Sequence, residues 1–181
     1  MGKKKQSGRA PVVGDKPFLH IQLRAFAHAT EDPDKVRQGL AHAAGFSLDV
    51  EADAKRFEKQ TRTVQSEGYF HNPIQIVETE ITRSAEVRRF WNALLAVPGM
   101  RERLHREVEE RLDDDLVFWL RLDKQAAHGR TLRLTQGEDV IQVRAKLATY
   151  PKDRAVGLSF LTAFLNGGPD VDAPPPDDKG H

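Results

Sequence analysis

The first patterned segment of the chain, Phe18 to His28, alternates between apolar and polar residues. One side carries Leu19, Ile21, Leu23, Ala25 and Ala27. The other side carries His20, Gln22, Arg24, Phe26 and His28. A period of two is typical of a β-strand with one buried face. We therefore expect the first set to face a core and the second set to face away from it.

A helix is predicted directly after this strand, beginning near the sequence Thr30-Glu31-Asp32-Pro33. Asp32 can accept a backbone N–H as the N-cap, and Pro33 suits the first helical position because its missing N–H would have no partner there. The apolar face of this helix carries Val36, Leu40, Ala43 and Ala44. Gly45 is expected to end it.

The next part of the chain predicts a hairpin. Residues 46–54 carry no clear period and are expected to be irregular. Lys55 to Gly68 looks extended but is polar on both faces, which favours an exposed or edge strand. The sequence Tyr69-Phe70-His71-Asn72-Pro73 predicts a turn, and Ile74 to Ile81 predicts the second strand of the hairpin.

Two amphipathic helices are predicted after the hairpin. Apolar residues at i, i+3, i+4, i+7 and i+8 define the first of them: Val87, Phe90, Trp91, Leu94 and Leu95. The sequence Val97-Pro98-Gly99 interrupts the pattern. The second helix carries its apolar stripe on Met100, Leu104, Val108 and Leu112.

The C-terminal part predicts three strands and a closing helix. The strands are Leu116–Asp123, Arg130–Thr135 and Val140–Leu147, with a turn over residues 136–139, and the helix is Arg154–Leu165. The whole order is β-α-β-β-α-α-β-β-β-α. One-sided strands and one-sided helices predict a single α+β domain with a mostly antiparallel sheet and helices on one face.

Charge is distributed unevenly over the 181 residues. The formal net charge is +1, but residues 1–16 sum to +4 and residues 167–181 sum to −3. The first segment is rich in Gly and Lys, the second in Gly, Pro and Asp, and neither has apolar periodicity. We therefore predict a disordered basic head at 1–16, a folded domain at 17–166 and a disordered acidic tail at 167–181.

Cysteine is absent from the sequence. Its absence excludes disulfides, thiolate nucleophiles and every zinc or iron–sulfur site with Cys ligands. No apolar run reaches the roughly 18 residues needed to cross a membrane, and no apolar signal core follows the basic N-terminus. We expect a cytoplasmic protein.

The outward side of the predicted strands is the surface richest in chemistry. This surface includes the outward residues of the first strand. The later strands contribute Val117, Trp119, Arg121, Arg133, Gln142, Arg144 and Lys146. No acid is among the residues gathered in this way. Arg and Lys attract phosphates and flat aromatic rings stack on bases, so a helix-free face with this mix suits single-stranded or irregular RNA. The alternative is a solvated or dimerisation face, since the domain as a whole is neutral.

The segment Asp123–Gly129 predicts a single helical turn between two strands. Asp123 can cap it and Gly129 can end it. Lys124 and Gln125 then lie in its first turn, where free backbone N–H groups favour anions. If the neighbouring strands pair as expected, Arg121, Lys124, Arg144 and Lys146 crowd one end of the sheet. The alternative is a plain connector.

No catalytic motif accompanies this surface. The sequence contains no G-x-S-x-G, H-E-x-x-H, P-loop or G-x-G-x-x-G pattern. His105 and Glu109 are better explained as an exposed helix pair than as metal ligands, and residues 113–115 as a solvated acidic turn. We expect no enzymatic activity, no cofactor and no metal.

Three stretches resemble one archaeal protein family. They are Arg24–Asp32, Glu67–Ile74, and Arg121–Ala127 followed by Gly137–Ile141. They resemble the predicted exosome-associated RNA-binding proteins of archaea, whose fold is like that of ribosomal protein L5. The resemblance covers most of residues 18–165 in the same order. It departs at His71, where glycine is common, and at His128, where tyrosine is expected.

The resemblance implies RNA binding, an archaeal cytoplasmic setting and a link to RNA processing. The implied partners are RNA and exosome or other RNA-processing proteins. The candidate RNA-binding residues are Arg24, Phe26, His28, Trp119, Arg121, Lys124, Gln125, Arg133, Arg144 and Lys146. The competing hypothesis is a protein-interaction or homodimerisation module that uses the same face.

Overall fold

The first strand in the sequence is the central strand of the sheet. A computed structural model describes residues 17–167 of the chain. The strands are β1 (Phe18–Ala27), β2 (Thr61–Glu67), β3 (Pro73–Ile81), β4 (Val117–Asp123) and β5 (Val140–Leu147). They form one sheet in the order β2-β3-β1-β5-β4, and every neighbouring pair is antiparallel. The prediction of an α+β domain with an antiparallel sheet is confirmed.

Helices lie between most of these strands and after the last one. They are α1 (Pro33–Ala43), α2 (Glu51–Gln60), α3 (Ser84–Leu95), α4 (Met100–Arg106), α5 (Val108–Arg111), α6 (Lys124–His128) and α7 (Arg154–Leu165). As predicted, Asp32 caps α1 by accepting the N–H of Asp34, and Pro33 is its first residue. Gly45 follows α1 with a φ of +85°, a conformation that favours glycine.

The helices cover one face of the sheet. This face carries the apolar residues of the strands whose sequence alternates between apolar and polar positions. Ile21, Leu23 and Ala25 of β1 are fully buried there. Leu19 departs from the prediction and is 45% exposed, because the pairing of β1 with β5 shifts between Phe18 and His20. This bulge places Phe18 in the core together with Ile21.

An aromatic cluster forms the core beneath α3 and α7. The ring of Trp91 lies 4.8 Å from that of Phe18 and 5.4 Å from that of Phe164, centroid to centroid. Gly157 lets α7 approach this region closely. A Cβ at that position would lie 2.9 Å from Cδ2 of Leu116, so no larger residue fits without displacement.

The segment predicted as irregular and then extended is instead α2 followed by β2. The sequence of α2, EADAKRFEKQ, consists mostly of strong helix formers. Its one buried residue is Phe57, which packs against the ring of Phe46 at 5.7 Å and lies under the guanidinium of Arg37 at 5.2 Å. A single apolar anchor produces no helical stripe, so hydrophobic periodicity cannot reveal this helix.

Two other sequence predictions are wrong. The expected long helix after residue 99 is divided into α4 and α5 at Glu107, which has a non-helical backbone and accepts hydrogen bonds from Arg103 and Arg111. Residues 130–135 form no strand. They make a single bridge between Leu134 and Leu122 at the outer edge of β4, so β5 pairs directly with β4.

The hairpin of β2 and β3 is confirmed. Its tip contains His71, one of the two positions at which the sequence departs from the family that it resembles. His71 has a φ of +59°, in the left-handed region that favours glycine. The predicted head at 1–16 lies outside the described residues, as does the predicted tail apart from Gly167. Among the described residues, no helix is long and apolar enough to span a membrane.

Candidate nucleic-acid interface

The helix-free face of the sheet brings polar side chains together in two rows that cross the strands. The register places one residue of each strand opposite its neighbour. One row contains Glu80, Gln22, Arg144 and Trp119. The adjacent row contains Arg62, Glu78, Arg24, Gln142 and Arg121. We call these the tryptophan row and the arginine row.

The side chain of Trp119 is held in place on this face. Its indole Nε1 donates a 2.8 Å hydrogen bond to Oδ2 of Asp113, and its ring is 38% exposed. Burial alone would raise the pKa of Asp113. Hydrogen bonds from Trp119 and from the N–H of Val117 outweigh that effect and lower the pKa. The carboxylate therefore stays charged and fixes the ring.

Arg144 completes a stacked pair with Trp119. The guanidinium carbon of Arg144 lies 4.9 Å from the centroid of the Trp119 ring. The two residues are direct partners across β4 and β5. Such a cation–π contact orders a long side chain that would otherwise sample many conformations. It presents a planar cation beside a partly exposed aromatic ring.

The arginine row contains an acid that the sequence analysis missed. Glu78 of β3 contacts both Arg24 and Arg62, the latter at 2.5 Å. Burial would raise its pKa, but the two guanidinium groups lower it below its usual value. Glu80 lies in the tryptophan row and faces Gln22. The open face is therefore less basic than the outward residues named from the sequence suggest.

A cleft of about 570 Å³ lies over both rows. Trp119 and Arg144 line it, as do Arg24 and Glu78, and Lys59 at the end of α2 contributes a further cation. Its volume lies within the range of small-molecule pockets. Because the lining combines an aromatic ring, cations and amide side chains, it suits a flat polar group attached to an anion.

Lys124 is not part of this open face, although the sequence analysis placed it with the RNA-binding residues. Its side chain is only 3% exposed. The ammonium donates to the carbonyl of Phe26 at 2.7 Å and forms ion pairs with Glu31 and Asp139 at 2.8 and 2.5 Å. The N–H groups of the ammonium are directed at these three acceptors. The cation therefore links β1, the loop that follows β1 and the segment just before β5.

The expected crowding of four cations at one end of the sheet is wrong. Lys146 pairs with Val117 at one end of β4, whereas Lys124 follows the opposite end. Arg121 and Arg144 lie between them, two residues apart along the sheet. The four cations are therefore spread along the length of β4 instead of meeting at one end.

Several other predicted site residues have partners within the protein. Arg133 pairs with Asp123 at 2.6 Å, and Gln125 donates to Asp139 at 3.2 Å. Asp123 also caps α6, as predicted. The N–H of Ala126 and then Arg133 lower the pKa of Asp123. These residues support the α6 end of the sheet.

The remaining predicted residues are Arg121, which belongs to the arginine row, and three residues at the margins of the two rows. Lys146 donates to the carbonyl of Asp115, and Arg121 donates to the carbonyl of Gly137 at 2.6 Å. Phe26 is half-buried beside Ile76, and His28 is exposed beyond the end of β1. The structure thus brings Arg24, Trp119, Arg121 and Arg144 together, with Lys146, Phe26 and His28 around them.

Residue type alone could not reveal the supporting partners of this surface. Asp113, Arg62 and Glu78 were not predicted because each depends on the strand register or on a turn. The sequence does contain one indication of the pair between Arg62 and Glu78. The two residues are equally far from the centre of the predicted turn, so a hairpin with its turn at residues 68–72 places them opposite each other. Among residues 17–167, no cluster of three or more His, Cys, Asp or Glu side chains could hold a metal ion.

Comparison with known proteins identifies the family of this chain. A family model described as RNA binding matches residues 20–147, most of the sheet and its helices. The chain belongs to this RNA-binding family. An RNA-binding protein of Pyrococcus abyssi is 34% identical over 158 residues, which cover 86% of this chain and 99% of that protein.

Further relatives of this RNA-binding family member are also archaeal. A protein of Methanocaldococcus jannaschii is 28% identical over 148 residues, covering 79% of this chain and 94% of that protein. Among solved structures, a DUF54 protein from Methanothermobacter thermautotrophicus is similar, with a TM-score of 0.69 and 25% identity. That match covers 83% of this chain and 99% of that protein.

Proposed function

We propose that this protein binds unpaired RNA on the open face of its sheet, without catalysis. The observation that carries the proposal is the stacked pair of Trp119 and Arg144 at the edge of a polar cleft. Membership of an RNA-binding family supports RNA as the ligand. An unpaired base can extend the stack on the guanidinium plane, as bases do on Arg and aromatic side chains in other RNA-binding proteins.

Phosphates of the same strand would meet cations on either side of this stack. Arg121 lies next to Trp119 on β4, and Lys59 and Arg62 lie on the opposite side of the cleft. Glu78 repels phosphate from the middle of the arginine row, because its carboxylate is charged at neutral pH. We therefore expect the backbone to follow the margins of the cleft and a base to enter it.

The composition of the cleft also favours binding without chemistry. Of the described residues that line it, none is His, Ser or Cys. Glu78 is engaged by two arginines, which makes it a poor proton acceptor. Cleavage by the 2′-hydroxyl of RNA needs a general base beside it. The second carboxylate of the lining, Glu80, accepts a hydrogen bond from Gln22 at 3.3 Å.

The proposal is tested by RNA affinity in a salt series with the variants Trp119→Ala and Arg144→Glu. We expect Trp119→Ala to weaken binding by about 1–3 kcal/mol, the contribution of one stacked base. Arg144→Glu should also weaken binding, because it removes the guanidinium on which the base stacks. It also reverses a charge beside the phosphates, so the slope of log K against log salt should flatten.

Arg130→Glu is the matched control, because Arg130 is exposed and pairs with Asp49 outside the cleft. It should leave both the affinity and the slope close to those of the wild type. If Trp119→Ala and Arg144→Glu bind RNA normally but change the oligomeric state in a sizing experiment, the face is a dimerisation surface and the proposal is wrong.

The resemblance to exosome-associated proteins adds a proposed partner. We expect RNA-processing proteins, the exosome among them, to associate with this protein, and the L5-like fold to be shared with that family. Co-purification before and after nuclease treatment tests the association. Association that disappears with the RNA indicates that RNA links the two, whereas association that persists indicates direct contact.

A further inference from the structure

The tip of the hairpin between β2 and β3 exposes two adjacent aromatic side chains. Tyr69 is 93% exposed and Phe70 is 84% exposed. Their rings contact each other in an edge-to-face arrangement, with centroids 5.1 Å apart and planes at an angle of 89°. A single exposed aromatic residue needs no explanation. Two together at a projecting tip are typical of a surface that is covered by a partner.

The loop that carries these rings is closed by its own hydrogen bonds. Gly68 donates to the carbonyl of Asn72 at 2.8 Å, and His71 donates to the carbonyl of Gly68 at 2.9 Å. The ring Nδ1 of His71 lies 2.8 Å from Oε1 of Glu67. The backbone is therefore fixed on both sides of the aromatic pair, so little conformational entropy would be lost on binding.

The surface between the tip and the cleft is continuous along the open face. Arg62, which lines the cleft, lies on β2, and Tyr69 follows the end of that strand by two residues. Val64 pairs with Ile76, and Ile76 pairs with Phe26, so partly exposed apolar side chains cross the sheet beside the arginine row. A single RNA strand can follow this path from Trp119 to the tip.

We infer that Tyr69 and Phe70 stack against a second unpaired base of the RNA bound at the cleft. The inference rests on the proposed function. Residues 68–72 contain no Lys or Arg, so the tip would supply stacking without phosphate contacts. This composition separates its contribution from that of the cleft, where cations are present.

The test is the double variant Tyr69→Ala/Phe70→Ala in the full chain, measured with a long unpaired RNA over a salt series. We expect a loss of affinity of about tenfold to a hundredfold, the effect of losing one stacked base. The slope of log K against log salt should stay at the wild-type value. The melting temperature should not change, because both side chains are exposed.

Two matched variants complete the experiment. Tyr69→Phe/Phe70→Tyr keeps both rings and should restore wild-type affinity. Tyr150→Ala removes an aromatic ring that is 80% exposed elsewhere on the protein and should have no effect. A loss of affinity accompanied by a flatter salt slope would overturn the inference, because the tip would then act through charge.

The result also separates this inference from the proposed function. If the double variant binds RNA like the wild type while Arg144→Glu binds weakly, the cleft binds RNA and the inference about the tip is wrong. If neither variant affects RNA binding, both are wrong. If the double variant leaves RNA affinity unchanged but alters the oligomeric state, the tip is a protein contact and the inference is overturned.

Discussion

The ammonium of Lys124 lies 2.7 Å from the carbonyl oxygen of Phe26, a residue 98 positions earlier in the chain. The same ammonium pairs with Glu31 and Asp139, so one buried cation joins three separate segments. The sequence pattern Asp-Lys-Gln-Ala-Ala therefore has a structural explanation. Asp123 caps the short helix and Lys124 ties it to the end of the central strand.

We predict that Lys124→Met lowers the free energy of unfolding by about 1–3 kcal/mol, because the carbonyl of Phe26 and the carboxylate of Glu31 lose the cation that satisfies them. Urea unfolding measures this directly. Lys35→Ala is the control, since Lys35 lines the same small cavity as Glu31 and Lys124 but is exposed. It should change stability by less than about 0.5 kcal/mol. A fully stable Lys124→Met protein with weak RNA binding would contradict this assignment.

Substitution of Trp91 should affect mainly stability, whereas substitution of Trp119 should affect mainly RNA binding. Trp91 is 1% exposed within the aromatic core, so Trp91→Ala should cost about 3–5 kcal/mol of stability. Trp119→Ala should cost less, because the ring is partly exposed. Thermal unfolding measures the stability loss of each variant. RNA affinity is then measured at a temperature where both variants are folded. Equal stability losses would show that Trp119 is a core residue.

Gly157→Ala should destabilise the protein even though alanine favours helices. The new Cβ would lie 2.9 Å from Leu116 and 3.2 Å from Leu112. Overpacking of this kind costs about 1–3 kcal/mol, more than the roughly 1 kcal/mol that alanine gains in helix propensity. Ser159→Ala, at an exposed position of the same helix, is the control for propensity alone. An increase in melting temperature for Gly157→Ala would contradict the packing described.

Asp123 should make stability depend on pH in acid. Its pKa is lower in the folded protein than its ordinary value of 3.8. Its contribution is therefore complete above the ordinary value and is lost as the pH falls through the folded pKa. The difference in free energy of unfolding between wild type and Asp123→Asn should be constant near neutral pH and vanish in strong acid. Asp49→Asn, at an exposed ion pair, should give a small difference throughout.

The terminal segments should be dispensable for folding. A chain of residues 17–166 lacks the segments that carry +4 and −3 charges, and neither segment has an apolar pattern that could join a core. Its melting temperature should match that of the full chain. Removal of residues 1–16 alone should lower RNA affinity modestly and flatten the salt slope, because Lys3, Lys4 and Lys5 can neutralise phosphates. Aggregation of the shortened chain would contradict this prediction.

Alternation of apolar and polar residues was sufficient to predict most of the sheet. It placed the outward residues of β1 and β5 on the open face, together with Trp119 and Arg121 of β4, but Val117 of the same predicted set is buried. It failed for α2, because Phe57 is the only residue of that helix that packs in the core. It also failed at Leu19, because a bulge reverses the alternation without any change in the sequence pattern.

The candidate site was harder to predict than the fold, for a physical reason. Whether a cation is free depends on partners brought close by the register, and these lie far away in the sequence. Arg24 and Glu78 are 54 residues apart and face each other only because β1 pairs with β3. Burial of Lys124 depends likewise on Glu31 and Asp139. A list of outward residues cannot reveal such neutralisation.

The central position of β1 has a consequence for synthesis of the protein. Ile21 pairs with Ala145, so the first strand to leave the ribosome obtains one of its two neighbours only when most of the chain has been made. Until then one edge of β1 has no partner within the sheet, and an unpaired edge is a template for wrong pairing. Long-range pairing of this kind also slows folding. We expect the nascent chain to complete its sheet only after β5 has left the ribosome.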